Sequence, residues 1–267
     1  MPFYSLLRVL VRTMINPLQS LSVARHEPRN DVKKNKQSLE QIISFKRHDF
    51  EKLATKVGFD QDDYRTSWHW IIIPALIQLL EEQKNEKPRI LEIGTFDAKF
   101  TRMLVDTFDC EIHTIDLPDE ADEFINSYAR EDELKRRDFI ALRNQRLDHV
   151  NIQFYELDSI QLLNKFPHEM FDLIWVDGDH LSPQVGFDLL SALWLCKPSG
   201  FICCDDVMTA PYQDRYVSNE SFKFLKALEL KGLVDLTLLL KRCKKANAIP
   251  SRRKFVSVSR KLSYVAS

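Results

Sequence analysis

The chain has 267 residues, 44% of them hydrophobic and 29% charged, with a formal net charge of −1. That length holds one large α/β domain with additions or two small ones, and the balance is that of a globular chain, which excludes wholesale disorder. So small a net charge gives no global field to recruit nucleic acid, yet the charge is unevenly spread: no acid follows Asp235, whereas Lys241, Arg242, Lys244, Lys245, Arg252, Arg253, Lys254, Arg260 and Lys261 are all basic. A solvated tail around a final strand is the plainer account of that excess; an anionic partner or membrane surface is the other.

At the N-terminus, "MPFYSLLRVLVRTMINPLQSLSV" sets Leu6, Leu7, Val9, Leu10, Val11, Met14 and Ile15 on one face of a helix. Arg8 and Arg12 interrupt the apolar run, which is too short to span a bilayer and lacks a small-residue cleavage site. The expectation is a helix that packs on the domain or on a second copy in a homodimer, with peripheral membrane contact the lesser reading. Residues 25–38 are polar and loop-like. Residues 39–58 have helical spacing and stop at Gly58, and 68–83 form a strongly apolar helix that Pro74 kinks or begins. Trp68, His69 and Trp70 read first as packing residues, with His69 close to a pocket as the alternative. The first 68 residues are thus expected as an N-terminal helical extension to a domain over 69–262.

From residue 89 short apolar strands alternate with amphipathic segments. The strands fall at 89–94, 111–116, 150–157, 171–177, 200–206, 233–240 and 254–260, and helical patterns lie at 99–108, 120–142, 159–166 and 183–196. Strands buried on both faces and alternating with helices predict an α/β, doubly wound Rossmann-like sandwich with a seven-stranded, mostly parallel sheet. The last two strands, joined by a polar loop alone, predict an antiparallel pair at one edge. The five cysteines (Cys110, Cys196, Cys203, Cys204, Cys243) show no metal-ligand spacing and three lie in apolar runs, as reduced thiols of a cytoplasmic protein would.

In such a sheet ligands bind beyond the carboxyl ends of the strands. Those ends carry Glu92 and Gly94, Asp116, Asp158, Asp177, and the pair Asp205 and Asp206. A rim of acids repels itself unless a cation or hydrogen-bond donors occupy it. The loop in "RILEIGTFDAKFT" has one glycine where a dinucleotide site wants three, and Glu92 and Asp97 would flank a pyrophosphate badly. Asp116 can accept both hydroxyls of a ribose and Asp158 an adenine amino group. The pattern suits an adenosine carrying a sulfonium, which is S-adenosylmethionine.

"LEIGTFDAKFT" resembles the first motif of class I S-adenosylmethionine-dependent methyltransferases, "TIDLP" their second and "LDS" their third. "FDLIWVDGDHLSPQVGFDLLSALWLCKPSGFICCDDV" is similar to the following motifs of the macrocin-type O-methyltransferases, more distantly akin to catechol O-methyltransferases. The resemblance spans roughly residues 70 to 260 and implies a cofactor site of Glu92, Gly94, Thr95, Phe96, Asp116, Asp158 and Ser159. Ala98 stands where the family's second glycine falls. It further implies a divalent metal, Mg²⁺, on Asp177, Asp205 and Asp206, because an oxygen nucleophile must lose its proton and Mg²⁺ stabilises the resulting oxyanion. His180 or Asp179 of "DGDH" is the implied base, His180 favoured by its ordinary pKa of about 6.5. The same acids can instead bond loop amides or cap the helix near Pro183.

The expected activity is methyl transfer to a hydroxyl of a small molecule, a sugar or a phenol. Tyr212, Arg215 and Tyr216 either contact that acceptor or cap the domain. An RNA-directed methyltransferase using the basic tail, and a cofactor-binding module without turnover, are the two alternatives. Against the first, the sequence has no aromatic-flanked proline motif for base methylation and no separate RNA-binding module.

Overall fold

In the computed structural model, described for residues 16–44, 47–63, 65–83, 86–211 and 217–263, three helices precede residue 69. They are α1 (Asn16–Arg25), α2 (Pro28–Ile43) and α3 (Arg47–Val57). The polar stretch expected as a loop is therefore helical from Pro28, whose fixed φ suits a first turn. Asp31, Asn35, Leu39 and Ile43 recur every four residues and are buried. Two of these four are polar, which disguises the stripe. The buried Asn35 amide donates to the Leu240 carbonyl at 2.8 Å and accepts from the Leu240 amide at 2.9 Å, so α2 is clamped to the end of a strand. The single helix expected over 39–58 is divided at Ser44, which is left-handed at φ 53. The apolar run at residues 6–15, with its expected dimer or membrane role, lies outside the described residues.

Helix α4 (His69–Gln83) buries every residue from 71 to 77, as a helix that is apolar all round must, and carries Pro74 in its interior. Then follow β1 (Arg89–Ile93), α5 (Lys99–Thr107), β2 (Glu111–Asp116), α6 (Asp122–Ile125), α7 (Glu133–Leu147), β3 (Ile152–Glu156) and α8 (Leu162–Lys165). The chain continues through β4 (Phe171–Val176), α9 (Gln184–Leu195), β5 (Cys196–Val207), α10 (Glu220–Leu230), β6 (Val234–Leu240) and β7 (Phe255–Lys261).

The seven strands form one sheet in the order β3-β2-β1-β4-β5-β7-β6. Strands β1 to β5 are parallel, and β7 runs antiparallel to both its neighbours, β5 and β6. The antiparallel strand thus sits one place in from the edge. Alternation of side chains sends Trp175 to one face and Ile174 and Val176 to the other. The first face packs on α4 together with Leu39, Phe50 and Leu53, so the helices before residue 69 share one core with the sheet. The second packs on Val185, Leu189 and Leu225 of α9 and α10.

Strand order reverses between β1 and β4, which opens a crevice at the carboxyl edge. Because β7 is inverted, Leu240 at the end of β6 pairs with Phe255 at the start of β7. Lys241 and Lys254 consequently emerge at that same edge. No helix among the described residues is long and apolar enough to cross a membrane.

Candidate functional site

The crevice has two halves. The first is built by the loop after β1. Gly94 has φ 99, and a Cβ there would run into the backbone carbonyl of Asp177, so the glycine is required by the approach of this loop to the end of β4. Phe96 (φ 49) and Ala98 (φ 56) are left-handed without being glycine, a strain of about 1 kcal/mol each that the surroundings must hold. They do so through Gly94 and Thr95 amides on the Ile115 carbonyl, a Phe96 amide on Asp116 Oδ2 at 2.8 Å, and Arg146 on Asp97 Oδ2 at 2.5 Å. Ala98, at the second-glycine position, is buried and keeps the left-handed turn that a glycine would take.

Glu92 is 4% exposed, and its Oε2 accepts from the hydroxyls of Thr101 (2.5 Å) and Thr114 (2.6 Å). Burial pushes its carboxyl up to about 7 against those two bonds. Thr95 joins the same cluster through a 2.6 Å hydroxyl contact with Thr114. Asp116 has one amide on each oxygen, Phe96 on Oδ2 and Leu117 on Oδ1, and forms no ion pair among the described residues. Burial raises its pKa. Each oxygen retains a lone pair, so the carboxylate fits the two hydroxyls of a ribose. Asp158 caps the turn at 159–161 through the Ile160 amide, and Ser159 donates at 2.6 Å to Asp188 Oδ1 on α9. The other oxygen of Asp188 is buried without a partner, and burial pushes that carboxyl up to about 6. Apart from Arg146 on Asp97, this half is anionic and served by neutral donors, and one of its acceptors is open. A cationic sulfonium with ribose hydroxyls and an adenine amine fits that donor demand.

The second half lies beyond β4, β5 and β6. The buried Lys241 ammonium donates to Asp205 Oδ2 and, at 2.7 Å, to Asp206 Oδ1, and Lys254 donates to Asp206 Oδ2 at 2.6 Å. Despite burial, these cations hold both aspartates below the usual carboxylate range. The expectation of Mg²⁺ on Asp177, Asp205 and Asp206 therefore meets a set that does not fit it. Three of the four oxygens of the Asp205–Asp206 pair already accept from ammonium groups, and a divalent cation beside them would face two positive charges. Among the described residues no group of three or more His, Cys, Asp or Glu is arranged to hold a metal. The basic run that reads as a solvated tail supplies the cations instead.

His180 Nε2 lies 3.6 Å from Asp177 Oδ1, and its Nδ1 is buried without a partner. Burial pulls the imidazole pKa down, but Asp177, Asp205 and Asp206 outweigh it and raise the net value. Burial and the Asp205 charge push Asp177 up to about 7. Asp177 raises the imidazole while His180 lowers the carboxyl, so the two titrate as a pair. Asp179 is exposed and accepts from the Leu181 amide, which is a turn-capping role. His69 packs edge-to-face on Phe100 and tilted on Trp175, and sits in the fields of Asp205 and Lys241, where burial lowers its pKa to about 4. It is both packing residue and pocket neighbour. Tyr212, Arg215 and Tyr216 lie outside the described residues.

Lys241, Lys254 and Asp188 carry no motif signal. Asp188 is one acid in an apolar helix, and that isolation was its sole cue. The five cysteines are free and buried, which removes them from the chemistry.

Residues 91–207 match the family model of a methyltransferase domain. No curated protein matches the chain. Similar solved structures include a candidate O-methyltransferase from Klebsiella pneumoniae, with 16% identity over 87% of this chain and 90% of that one and a TM-score of 0.46. Another is the O-methyltransferase TomG from Streptomyces achromogenes, involved in tomaymycin synthesis and solved with S-adenosylmethionine (20%, 70% and 78%, TM-score 0.45). A third is the carbon methyltransferase CurJ (17%, 72% and 54%, TM-score 0.47).

Proposed function

We propose that this chain, with its methyltransferase domain over residues 91–207, transfers a methyl group from S-adenosylmethionine to a hydroxyl oxygen of a small molecule without a divalent metal. The observation that carries this reading is Asp116: the carboxylate that ends β2, one strand from the switch point, oriented by two loop amides and in no ion pair among the described residues. Glu92, Gly94, Thr95 and Phe96 build the loop over it, and Asp158, Ser159 and Asp188 form the wall expected to meet the adenine. When bound, the cofactor supplies an electrophilic methyl on a sulfonium.

The chain's own contribution is positioning and proton handling. Alignment of acceptor and methyl supplies much of the rate of an in-line displacement. The His180–Asp177 pair takes the acceptor's proton, and its neighbour Asp179 is the weaker candidate because its carboxylate is spent on a turn. Lys241 and Lys254 neutralise Asp205 and Asp206, so those two acids oppose an oxyanion forming nearby less than they would unpaired.

The experiment is transfer of labelled methyl to a panel of sugars and phenols, with and without EDTA, beside calorimetry of cofactor binding. Transfer unchanged by EDTA, and reduced about 10²- to 10⁴-fold in His180→Ala, is expected. Strict dependence on added Mg²⁺ would remove the metal-free mechanism. Cofactor binding without transfer to any hydroxyl would favour a binding module, and absence of cofactor binding would end the reading altogether.

A further inference from the structure

The segment between β6 and β7 contains basic residues that the mechanism does not use. It is a fixed structure: the Lys241 amide donates to the Lys254 carbonyl at 2.8 Å, and the Trp68 amide to the Lys241 carbonyl at 2.7 Å. Asn247, buried, donates from Nδ2 to Asp31 Oδ2 and to the Arg242 carbonyl, and Arg253 closes on the Asn247 carbonyl at 2.6 Å. This frame holds Lys241, Arg242, Lys244, Asn247 and Lys254 around one shallow recess at the carboxyl edge, whose enclosed volume is about 10 Å³. That is room for about one water, so an anion is met at the mouth of the recess, where Arg242 and Lys244 are exposed, and is not enclosed by it.

The charges around the recess do not balance. Lys241 and Lys254 are matched by Asp205 and Asp206. Arg242 spends its Nε on the Arg65 carbonyl, and Lys244 and Arg252 form no ion pair among the described residues. Burial first, then the charges of Arg242, Lys254 and Arg252, pull the Lys244 pKa down. No acid follows Asp235 to relieve them. Holding like charges together costs free energy that an entering anion would offset. Asp206 connects the two places: it contacts Lys241 and Lys254 on the recess wall, and its charge acts on His180.

We propose that this recess binds an anionic group of the methyl acceptor, a phosphate or a carboxylate, with Arg242 and Lys244 as its principal contacts and the acceptor hydroxyl directed toward His180. The assignment rests on the methyl-transfer reading and specifies the acceptor as an acidic small molecule. Arg242 can bind such a group through its guanidinium fork, while Lys244 acts as a point charge.

The test uses the full chain and calorimetry with inorganic phosphate, acetate and a short RNA, each with and without S-adenosylmethionine, on the wild type and on Arg242→Gln/Lys244→Gln. Saturable phosphate binding is expected, weakened about tenfold or more in the double variant and by raised salt, with cofactor affinity changed less than about twofold. Acetate binding tighter than phosphate would point to a carboxylate; the reverse points to a phosphate. Equal phosphate affinity in variant and wild type, or none in a wild type that still binds cofactor, would overturn the anion site. RNA bound far more tightly than phosphate, and lost in the same variant, would overturn the small-molecule assignment. Loss of cofactor binding in the wild type would count against the methyltransferase reading and leave the phosphate result to be judged separately.

Discussion

Acids line the carboxyl edge of the sheet from β1 to β5, yet the two halves of that edge stabilise them by opposite means. At β1 to β3 the donors are neutral: two threonine hydroxyls on Glu92, two backbone amides on Asp116, one amide on Asp158. At β5 to β7 they are full cations, Lys241 and Lys254. Neutral donors cannot offset desolvation, so Glu92 and Asp116 are pushed up; ammonium groups more than offset it, so Asp205 and Asp206 are pulled down. The first half keeps acceptor capacity and negative potential for an incoming cationic ligand. The second is already an internal salt cluster, and what it offers outward is surplus positive charge.

The largest test of that contrast is Lys241→Met. It leaves two buried aspartates without their main counter-charge and should cost about 3–5 kcal/mol in thermal or denaturant unfolding. Adding Asp205→Asn should recover part of the loss, and a double variant no more stable than the single would break the account. Next comes the pH response of the other half. The Glu92 carboxyl titrates from 4.5 as its ordinary value up to about 7 when folded. Between these pH values the folded state holds a proton that the unfolded state has lost, so stability falls as pH rises through that window, by about 3 kcal/mol for this group. Glu92→Gln should flatten the slope between pH 5 and 8; an unchanged slope would show that Glu92 is not the source.

Asp116→Asn tests the cofactor half more gently. Asparagine keeps one acceptor oxygen, so one of the two amide bonds persists, the other amide faces an NH2 group, and the charge is lost. S-adenosylmethionine affinity should fall about 10- to 100-fold by calorimetry, with the fold retained. The smallest effect belongs to Asp179→Ala, expected to change stability by about 0.5–1 kcal/mol and methyl transfer by only a few-fold. A collapse of transfer there would exchange the roles given to Asp179 and His180.

The fold was legible because period-two and period-3.6 patterns are local: every strand from β1 to β7 falls where alternating or continuous apolar runs place it. The placing of Glu92, Gly94, Asp116 and Asp158 at one edge of the sheet was legible for the same reason. The cofactor half's residues lie in short stretches, Glu92 to Phe96 and Asp158 to Ser159, that one turn delivers to one place. Helix α2 was illegible because Asp31 and Asn35 are buried polar residues whose partners lie about two hundred positions away, Asn247 and Leu240. The acceptor half failed similarly. Asp177, Asp205 and Asp206 stand where the family resemblance implies a metal, and nothing near them in sequence announces the lysines that occupy oxygens of Asp205 and Asp206.

By itself, then, the sequence determined the sheet, its two buried faces and the acids at its strand ends, since hydrophobic periodicity and turn residues act over a few positions. Only the tertiary structure decided what those acids face. Inversion of β7 between β5 and β6 brings residue 254 back beside residue 241 and sets both lysines over the end of β5. Charge acts through distance in space, and the distance from these lysines to Asp205 and Asp206 is fixed by the pairing of β7 with β5, which composition and spacing do not encode.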